Sequence, residues 1–483
     1  LQISDIHISI FHDIKRISDL QEFCDITVSA IQPSVVLATG DLTDAKQKDN
    51  IGSQQYDEEW KKYRKVLDNC KGLKSSNIIW LDIRGNHGSV KSYMKHVKGP
   101  SGEVYSFIGL DACPDQGLRR PFNFIGLLSE MEIEHLHQLA ALSASQANYT
   151  VWFGHYPTSC ILSKGSKVRD VIGKGGNSLA YLCGHLHTLG GFVPNMYTLQ
   201  KQGFLELELG DWKDNRMYRV AAIDHGLLSF TDVHHKDWPV VLITNPKHVL
   251  FNTPQREPLY RMFRVLVFNL VPLLSVRVKL DDGDWKECRK IGGPLYVVKW
   301  EPRQFSKGVH YVYVSVTDSN GHEKIVEQPF SLDGTRLSFK LLPRIFLMSN
   351  FSTLFQVMFG FSILGCVLPL CILRYFNAQI KFRKIAVVKI GQKYFDLWLR
   401  RLWVVANLDR FFYPLTLYPL YLTIGPWSVG ELIHGHVGVL FAWGTFINGT
   451  YLPGAFTYAY GFFELFLFQA PLILILGHKL YSR

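Results

Sequence analysis

Five short polar stretches carry the residues in this sequence best suited to hold metal ions. They are Asp5-Ile6-His7, Gly40-Asp41, Gly85-Asn86-His87, Gly154-His155 and Gly184-His185-Leu186-His187. Together they offer two aspartates, one asparagine and, with His87 included, five histidines. Imidazole nitrogen mixed with carboxylate oxygen suits zinc, iron and manganese. So many donors exceed the needs of a single tetrahedral zinc and fit two ions instead. Two ions about 3.5–4 Å apart need a bridging carboxylate, and phosphatases use such pairs to clamp an in-line displacement. A water shared between the ions becomes hydroxide near neutral pH, because coordination lowers its pKa. Asp41 follows a glycine at the end of a central strand and is the expected bridge.

Each stretch ends an apolar run. The runs are Leu1-Gln2-Ile3, Val35 to Thr39, Ile78 to Ile83, Val151-Trp152-Phe153 and Leu179 to Cys183. Short β-branched or aromatic runs that stop at glycine read as buried strands. In open α/β sheets ligands gather where loops leave the carboxyl ends of strands, so five strand ends converge on one place. Between them, helices are expected from Asp19 to Ile31, ended by Pro33, and from Gln55 to Asn69. A third runs from Leu127 to Leu142, opened by a Ser129/Glu132 capping box. Residues 204–235 alternate as further strands.

The ordered set DxH, GD, GNH, GH and GHxH resembles the calcineurin-like metallophosphoesterase superfamily across residues 1 to about 235. Single GD or GH pairs carry no information, but the ordered five are specific. The resemblance implies a four-layer β-sandwich flanked by helices, with one metal held by Asp5, His7 and His187. It implies a second metal held by Asn86, His155 and His185, with Asp41 bridging both and His87 as the proton donor to the leaving group. The two ions would be divalent or trivalent manganese, zinc or iron. The stretches Leu1–His7, Ala38–Ala45, Tyr181–Thr188 and Gly210–Arg216 are similar to the membrane-anchored transmembrane protein 62 group within that superfamily. One position departs from the pattern: Gly88 stands where an acid usually follows the GNH histidine and fixes its orientation. Arg84 and Tyr156 adjoin the ligands and are candidates to touch a phosphate, whereas Asp44 and Asp82 read as loop-capping groups. His12, His96, His135 and His137 read as surface or helix-face residues.

Beyond the head, composition shifts. From about Trp238 short strands alternate with turns such as Asp281-Asp282-Gly283 and Asp318-Ser-Asn-Gly321, the pattern of an immunoglobulin-like β-sandwich. After Lys340 the chain becomes apolar. Leu354 to Leu373 has the length to cross a bilayer, and Phe411–Val429, Val437–Leu452 and Phe456–Gly477 are further candidates. The expected domains are therefore a head over 1–237, a β-sandwich over 238–340 and a transmembrane region over 341–483. About four helices are expected in that last region. Formal net charge is +11. Much of the excess lies in 374–410, read as a basic loop that the positive-inside rule places in the cytoplasm. The head would then be luminal or extracellular, on the same side as the sequons at Asn148 and Asn350. Glu464 inside the last span should face another helix or a polar cavity. The chain opens inside its first motif, so a preceding segment is expected.

No basic tract interleaved with aromatics points to nucleic acid. The eight cysteines show neither a CxxC pair nor a regular framework, leaving at most one disulfide that spacing does not assign. The partners implied are the lipid bilayer and a phosphate ester, which membrane attachment allows to be lipid-linked; no protein partner is indicated. Three functions compete: a membrane-anchored dinuclear phosphoesterase, a non-catalytic metal-binding receptor or assembly module favoured by Gly88, and a lipid-handling tail regulated by the head.

Overall fold

A computed structural model describes residues 1–48, 54–74, 77–83, 92–113, 123–251, 261–381, 393–433, 435–447, 449–454 and 456–482. The apolar run Val35–Thr39 is buried along its whole length and forms a central strand. It pairs in parallel with Gln2–Ile3 on one side and Ile79–Ile83 on the other. The antiparallel hairpin Met217–Asp224 and Leu227–His234 extends this sheet beyond Gln2–Ile3. A second, six-stranded sheet places Leu205–Glu208, Ser178–Cys183, Tyr149–Gly154 and Val104–Leu110 in parallel, with antiparallel edges at Tyr197–Leu199 and Tyr93–Lys98.

The two sheets share a core in which Val35, Leu37, Leu81 and Ile83 meet Val151, Phe153, Leu182, Leu205 and Leu207. Each fully buried side chain of this kind contributes about 1.5–3 kcal/mol. On the outer face of the first sheet, Leu20, Phe23 and Val28 pack with Ile3, Val36, Ala38 and Tyr218. These three belong to a helical stretch from Lys15 to Ile31 with a π-helical centre at Phe23–Val28. Glu130–Gln146 lies on the second sheet, and its Ser129/Glu132 capping box is present. Four layers result: helix, sheet, sheet, helix.

One buried cation stitches the sheets together. Arg219 binds Asp232 through two nitrogens, at 2.6 and 2.8 Å, and also donates to the carbonyls of Leu207 and Glu208 in the opposite sheet. Gln2 continues the seam, its amide donating to Thr39 Oγ1 and to the Cys183 carbonyl, both at 3.1 Å. The ends of three motif-bearing strands are thereby held side by side. Cys24 and Cys70 form a disulfide tying the first helical stretch to the end of helix Asp57–Asn69.

The β-sandwich follows as two four-stranded sheets over Val240–Ser331, closed around Val265, Val278, Trp300, Val314 and Phe330. The helix Leu341–Met348 ends this first unit of the chain.

The second unit, from Asn350 onward, corrects four expectations. Among the described residues two helices, not four, are long and apolar enough to cross a membrane: Phe351–Lys381 and Thr457–Tyr481. Val437–Leu452 is not a span but part of a four-stranded antiparallel sheet, Ser428–Ile433, His436–Phe441, Gly444–Ile447 and Thr450–Pro453. Its β-branched and aromatic residues alternate, and Gly435 and Gly449 sit at the hairpin ends with φ of 75° and 76°, which glycine adopts without strain. The Phe411–Val429 candidate becomes Asp409–Ile424, 16 residues long. At 1.5 Å per residue it extends about 24 Å, short of a hydrocarbon layer of about 30 Å. The 374–410 stretch is not simply a loop: the first span runs on to Lys381, and Lys393–Asn407 is a helix. Within this unit Glu464 faces a neighbouring helix, where Tyr418 Oη donates to its Oε1 at 2.7 Å.

Candidate metal centre

The strand ends deliver their side chains through unusual backbone. Asp5, His7, Asp41, His185 and His187 all have left-handed φ, at 52°, 50°, 45°, 80° and 49°. Such conformations cost non-glycine residues on the order of 1–3 kcal/mol each and persist where the surroundings over-determine them. The surroundings here are specific. Asp5 N donates to the Gly40 carbonyl at 3.1 Å and His7 N to the Asp41 carbonyl at 2.8 Å, locking the first two motifs together. Trp212 N and Lys213 N donate to the carbonyls of Ser4 and Asp5, so the Gly210–Arg216 stretch braces the first motif from the other side. Gly40 itself has φ of 96°, and a Cβ there would strike the His155 ring.

Asp41 lies between two histidines. Its Oδ2 is 3.4 Å from His7 Nε2 and its Oδ1 is 3.4 Å from His155 Nε2. His155 Nε2 also lies 3.1 Å from His185 Nδ1, and His187 Nε2 lies 3.0 Å from Asp5 Oδ1. Asp5 is fully buried, its other oxygen accepting from Ser4 Oγ at 2.7 Å and from His185 N at 3.0 Å.

Outer groups set which nitrogen faces inward. A carbonyl only accepts, so His155 Nδ1, 3.2 Å from the Thr39 carbonyl, carries the proton and leaves a lone pair on Nε2. His7 Nδ1 sits 3.2 Å from Asp44 Oδ1, which directs its Nε2 towards Asp41 in the same way. Burial pushes the His7 imidazole below its ordinary pKa. Burial, with His155 beside it, pushes His185 down to about 3. His187 moves oppositely: burial disfavours its charge, but the Asp5 carboxylate outweighs that and raises it to about 9. Burial also works against the Asp5 carboxylate, yet His187, His155 and His7 hold it well below the usual range.

These donors fit metal ions. Ligands at about 2.1 Å from one ion, at angles of 90–110°, are themselves about 3.0–3.4 Å apart. The four separations above span 3.0 to 3.4 Å. Asp5, His7 and His187 form one compact donor group, and Asp5, Asp41 and His155 form another. A third, His187 with Asp211 and Asp214, reads differently. Asp211 accepts from the backbone of Asp214 and Asn215 and so caps the turn that braces Asp5.

Six of the eight expected site residues are thus brought together: Asp5, His7, Asp41, His155, His185 and His187. Asn86 and His87, with Arg84 and Gly88, lie outside the described residues. Tyr156 is buried, its ring 5.0 Å from that of His155 and 4.6 Å from that of His185. The roles of Asp44, Thr39 and Asp211 escaped sequence reasoning. Asp44 had a visible signal, its place in Gly40-Asp-Leu-Thr-Asp44, but the carbonyl of Thr39 had none. His12, His96 and His135 bond Gln47, Gln146 and Ser92 instead.

Comparison with known proteins agrees with this geometry. A calcineurin-like phosphoesterase family profile matches residues 1–189, a TMEM62 Ig-like domain matches 235–336 and a TMEM62 C-terminal domain matches 352–483. The chain is 39% identical to transmembrane protein 62 of Mus musculus, covering 100% of this chain and 77% of that protein. It is 27% identical to an Arabidopsis thaliana protein provisionally named a metallophosphoesterase, covering 89% of this chain and 71% of that one. A hypothetical protein from Thermus thermophilus aligns over 68% of this chain and 96% of its own at 11% identity, with a TM-score of 0.23, too low to bear on the fold.

Proposed function

The chain belongs to the transmembrane protein 62 family, its head a calcineurin-like phosphoesterase domain, and on that basis we propose a membrane-anchored, dinuclear-metal phosphoesterase. Its substrate would be a phosphomonoester or phosphodiester, including one linked to a lipid. The observation that carries this reading is Asp41, one carboxylate oxygen turned to His7 and the other to His155. A carboxylate so placed is positioned to bridge two cations.

Asp5, His7 and His187 would hold one ion and Asn86, His155 and His185 the other, with Asp41 shared. When bound, two such ions neutralise phosphate charge and acidify a water nucleophile. The protein's own groups do the rest. The Thr39 carbonyl keeps the His155 proton on Nδ1, and Asp44 Oδ1 stands 3.2 Å from His7 Nδ1, so that both Nε2 atoms face the site. Buried Tyr156 excludes water behind His155 and His185. His87 would give its proton to the leaving oxygen, a task suited to an imidazole near its ordinary pKa.

The chain would cross the bilayer at Phe351–Lys381 and Thr457–Tyr481, with the head on the luminal or extracellular side. The Cys24–Cys70 disulfide supports that side, since disulfides persist in oxidising compartments. The cationic residues between the two spans support it as well.

The test uses the full chain in detergent, loaded with manganese, zinc or iron and assayed on aryl phosphomonoesters and phosphodiesters. Near two metals per chain, with turnover abolished in Asp41→Asn, is the expected result. Two metals without turnover on any ester or at any pH would replace this reading with a metal-binding receptor, as Gly88 would allow. A folded chain that retains no metal would overturn both.

A further inference from the structure

The helix Leu341–Met348 is apolar on two opposite sides. Pro343 and Leu347 are buried, whereas Leu341, Leu342 and Ile345 stand 68%, 51% and 41% exposed. At 100° per residue the exposed three occupy one stripe about 100° wide, turned away from Pro343 and Leu347. A single exposed leucine needs no explanation, but a full apolar stripe on one short helix does.

The stripe cannot roll inward, because the end of the helix is pinned. Arg169 donates to the carbonyls of Leu347, Met348 and Ser349 at 2.7, 2.7 and 2.8 Å. Gln200 Nε2 adds a bond to the Leu347 carbonyl at 2.9 Å. These carbonyls would otherwise be orphaned at the helix terminus. Arg169 is itself anchored on Thr158 Oγ1 at 2.7 Å, and Thr158 donates in turn to buried Glu206.

Chain continuity names the occupant. Only Ser349 and Asn350 separate this helix from Phe351–Lys381, the more apolar of the two candidate spans. Two residues of extended chain reach about 7 Å, so the C-terminal end of this helix stays beside the start of the span. Arg336, Lys340 and Arg344 are exposed on and before the helix, where lipid phosphates would meet them.

We propose that Leu341, Leu342 and Ile345 insert into the membrane interface, making Leu341–Met348 an in-plane docking helix that seats the head on the bilayer. The inference rests on Phe351–Lys381 crossing a membrane and does not depend on turnover at the metal centre.

The experiment uses the full chain in phosphatidylcholine vesicles, with exposed Cys371 replaced by serine. An environment-sensitive fluorophore is placed at Ile345→Cys, at Leu342→Cys or, as a reference, at Ile325→Cys on the β-sandwich, a site 57% exposed. Nitroxide lipids labelled at the headgroup or at a shallow acyl position should quench the two helix probes at least threefold more than the reference. Aqueous iodide should show the reverse order. Helix probes quenched by iodide as strongly as the reference and indifferent to nitroxide lipids would overturn the proposal. Probes shielded from both quenchers would also overturn it, by identifying a protein contact such as a second copy of the chain. Release of the labelled protein by alkaline carbonate would remove the span itself, and the docking with it, whatever the phosphoesterase assay gives.

Discussion

His7 Nδ1 lies 3.2 Å from Asp44 Oδ1 while the opposite ring nitrogen, Nε2, lies 3.4 Å from Asp41. One buried histidine thus links an outer carboxylate to the residue at the centre of the site. Outer carboxylates of this kind fix ring orientation, and removing them typically lowers metal affinity about 10–100-fold. Asp44→Ala should weaken metal retention within that range, measured by competition with a graded chelator. Asp44→Asn, which keeps an oxygen beside Nδ1, should recover much of the loss. Equal losses in both variants would show that the charge of Asp44, not its hold on the ring, is what matters.

Asp41→Asn should act more severely. Under the proposed dinuclear function, removing the shared carboxylate charge should cut metal content from about two to one or none per chain and lower turnover about 100-fold or more. Metal analysis of protein purified without added ions, read beside a thermal melt, separates this loss from misfolding. Unchanged metal content would sink the bridging role.

Gly40→Ala tests the packing of the site rather than its donors. The new Cβ meets the His155 ring, and alanine must adopt a φ of 96°. A loss of about 1–3 kcal/mol in head stability is expected from the backbone strain alone, together with loss of the metal near His155. Denaturant titration of the full chain in detergent, following head fluorescence, reads the first. Metal counting reads the second.

Lys247 gives a pH prediction away from the site. Its Nζ is buried without a hydrogen-bond partner among the described residues. Burial brings its pKa from 10.5 down to about 7. The unfolded chain therefore binds more protons between those two values, so stability rises with pH through that window. Lys247→Met should flatten the rise and stabilise the first unit of the chain below neutrality by on the order of 2–4 kcal/mol. A pH series of melting temperatures for both proteins decides it. Parallel curves would mean that the amine is not buried as described.

The disulfide offers a test of sidedness. With intact, right-side-out vesicles, Cys24 and Cys70 should resist alkylation until a membrane-impermeant reductant is added from the head side. Cys70→Ala should lower head stability by about 3–4 kcal/mol, the value expected for opening a loop of this length. Free thiols at both positions in untreated protein would contradict the bond.

The sequence alone determined the inner donors and the strands behind them. Short buried strands ending in glycine, aspartate and histidine leave few other readings, and order along the chain made Asp5, His7, Asp41, His155, His185 and His187 a set. It also determined the capping box at Ser129, because a cap is local chemistry between residues three apart. The tertiary structure decided what depends on distant groups meeting. The Thr39 carbonyl 3.2 Å from His155 Nδ1 crosses 116 positions of sequence, and backbone carbonyls look alike in any sequence. The partner of Cys24 was undecided for the same reason, since spacing does not say which thiols fold together. In the last third, apolar composition concealed a change of period: Val437–Leu452 is largely apolar, yet alternation and left-handed glycines at Gly435 and Gly449 make it part of a sheet. Hydrophobicity sets how much surface must be buried. Backbone geometry, realised only when strands find their partners, sets the form in which it is buried.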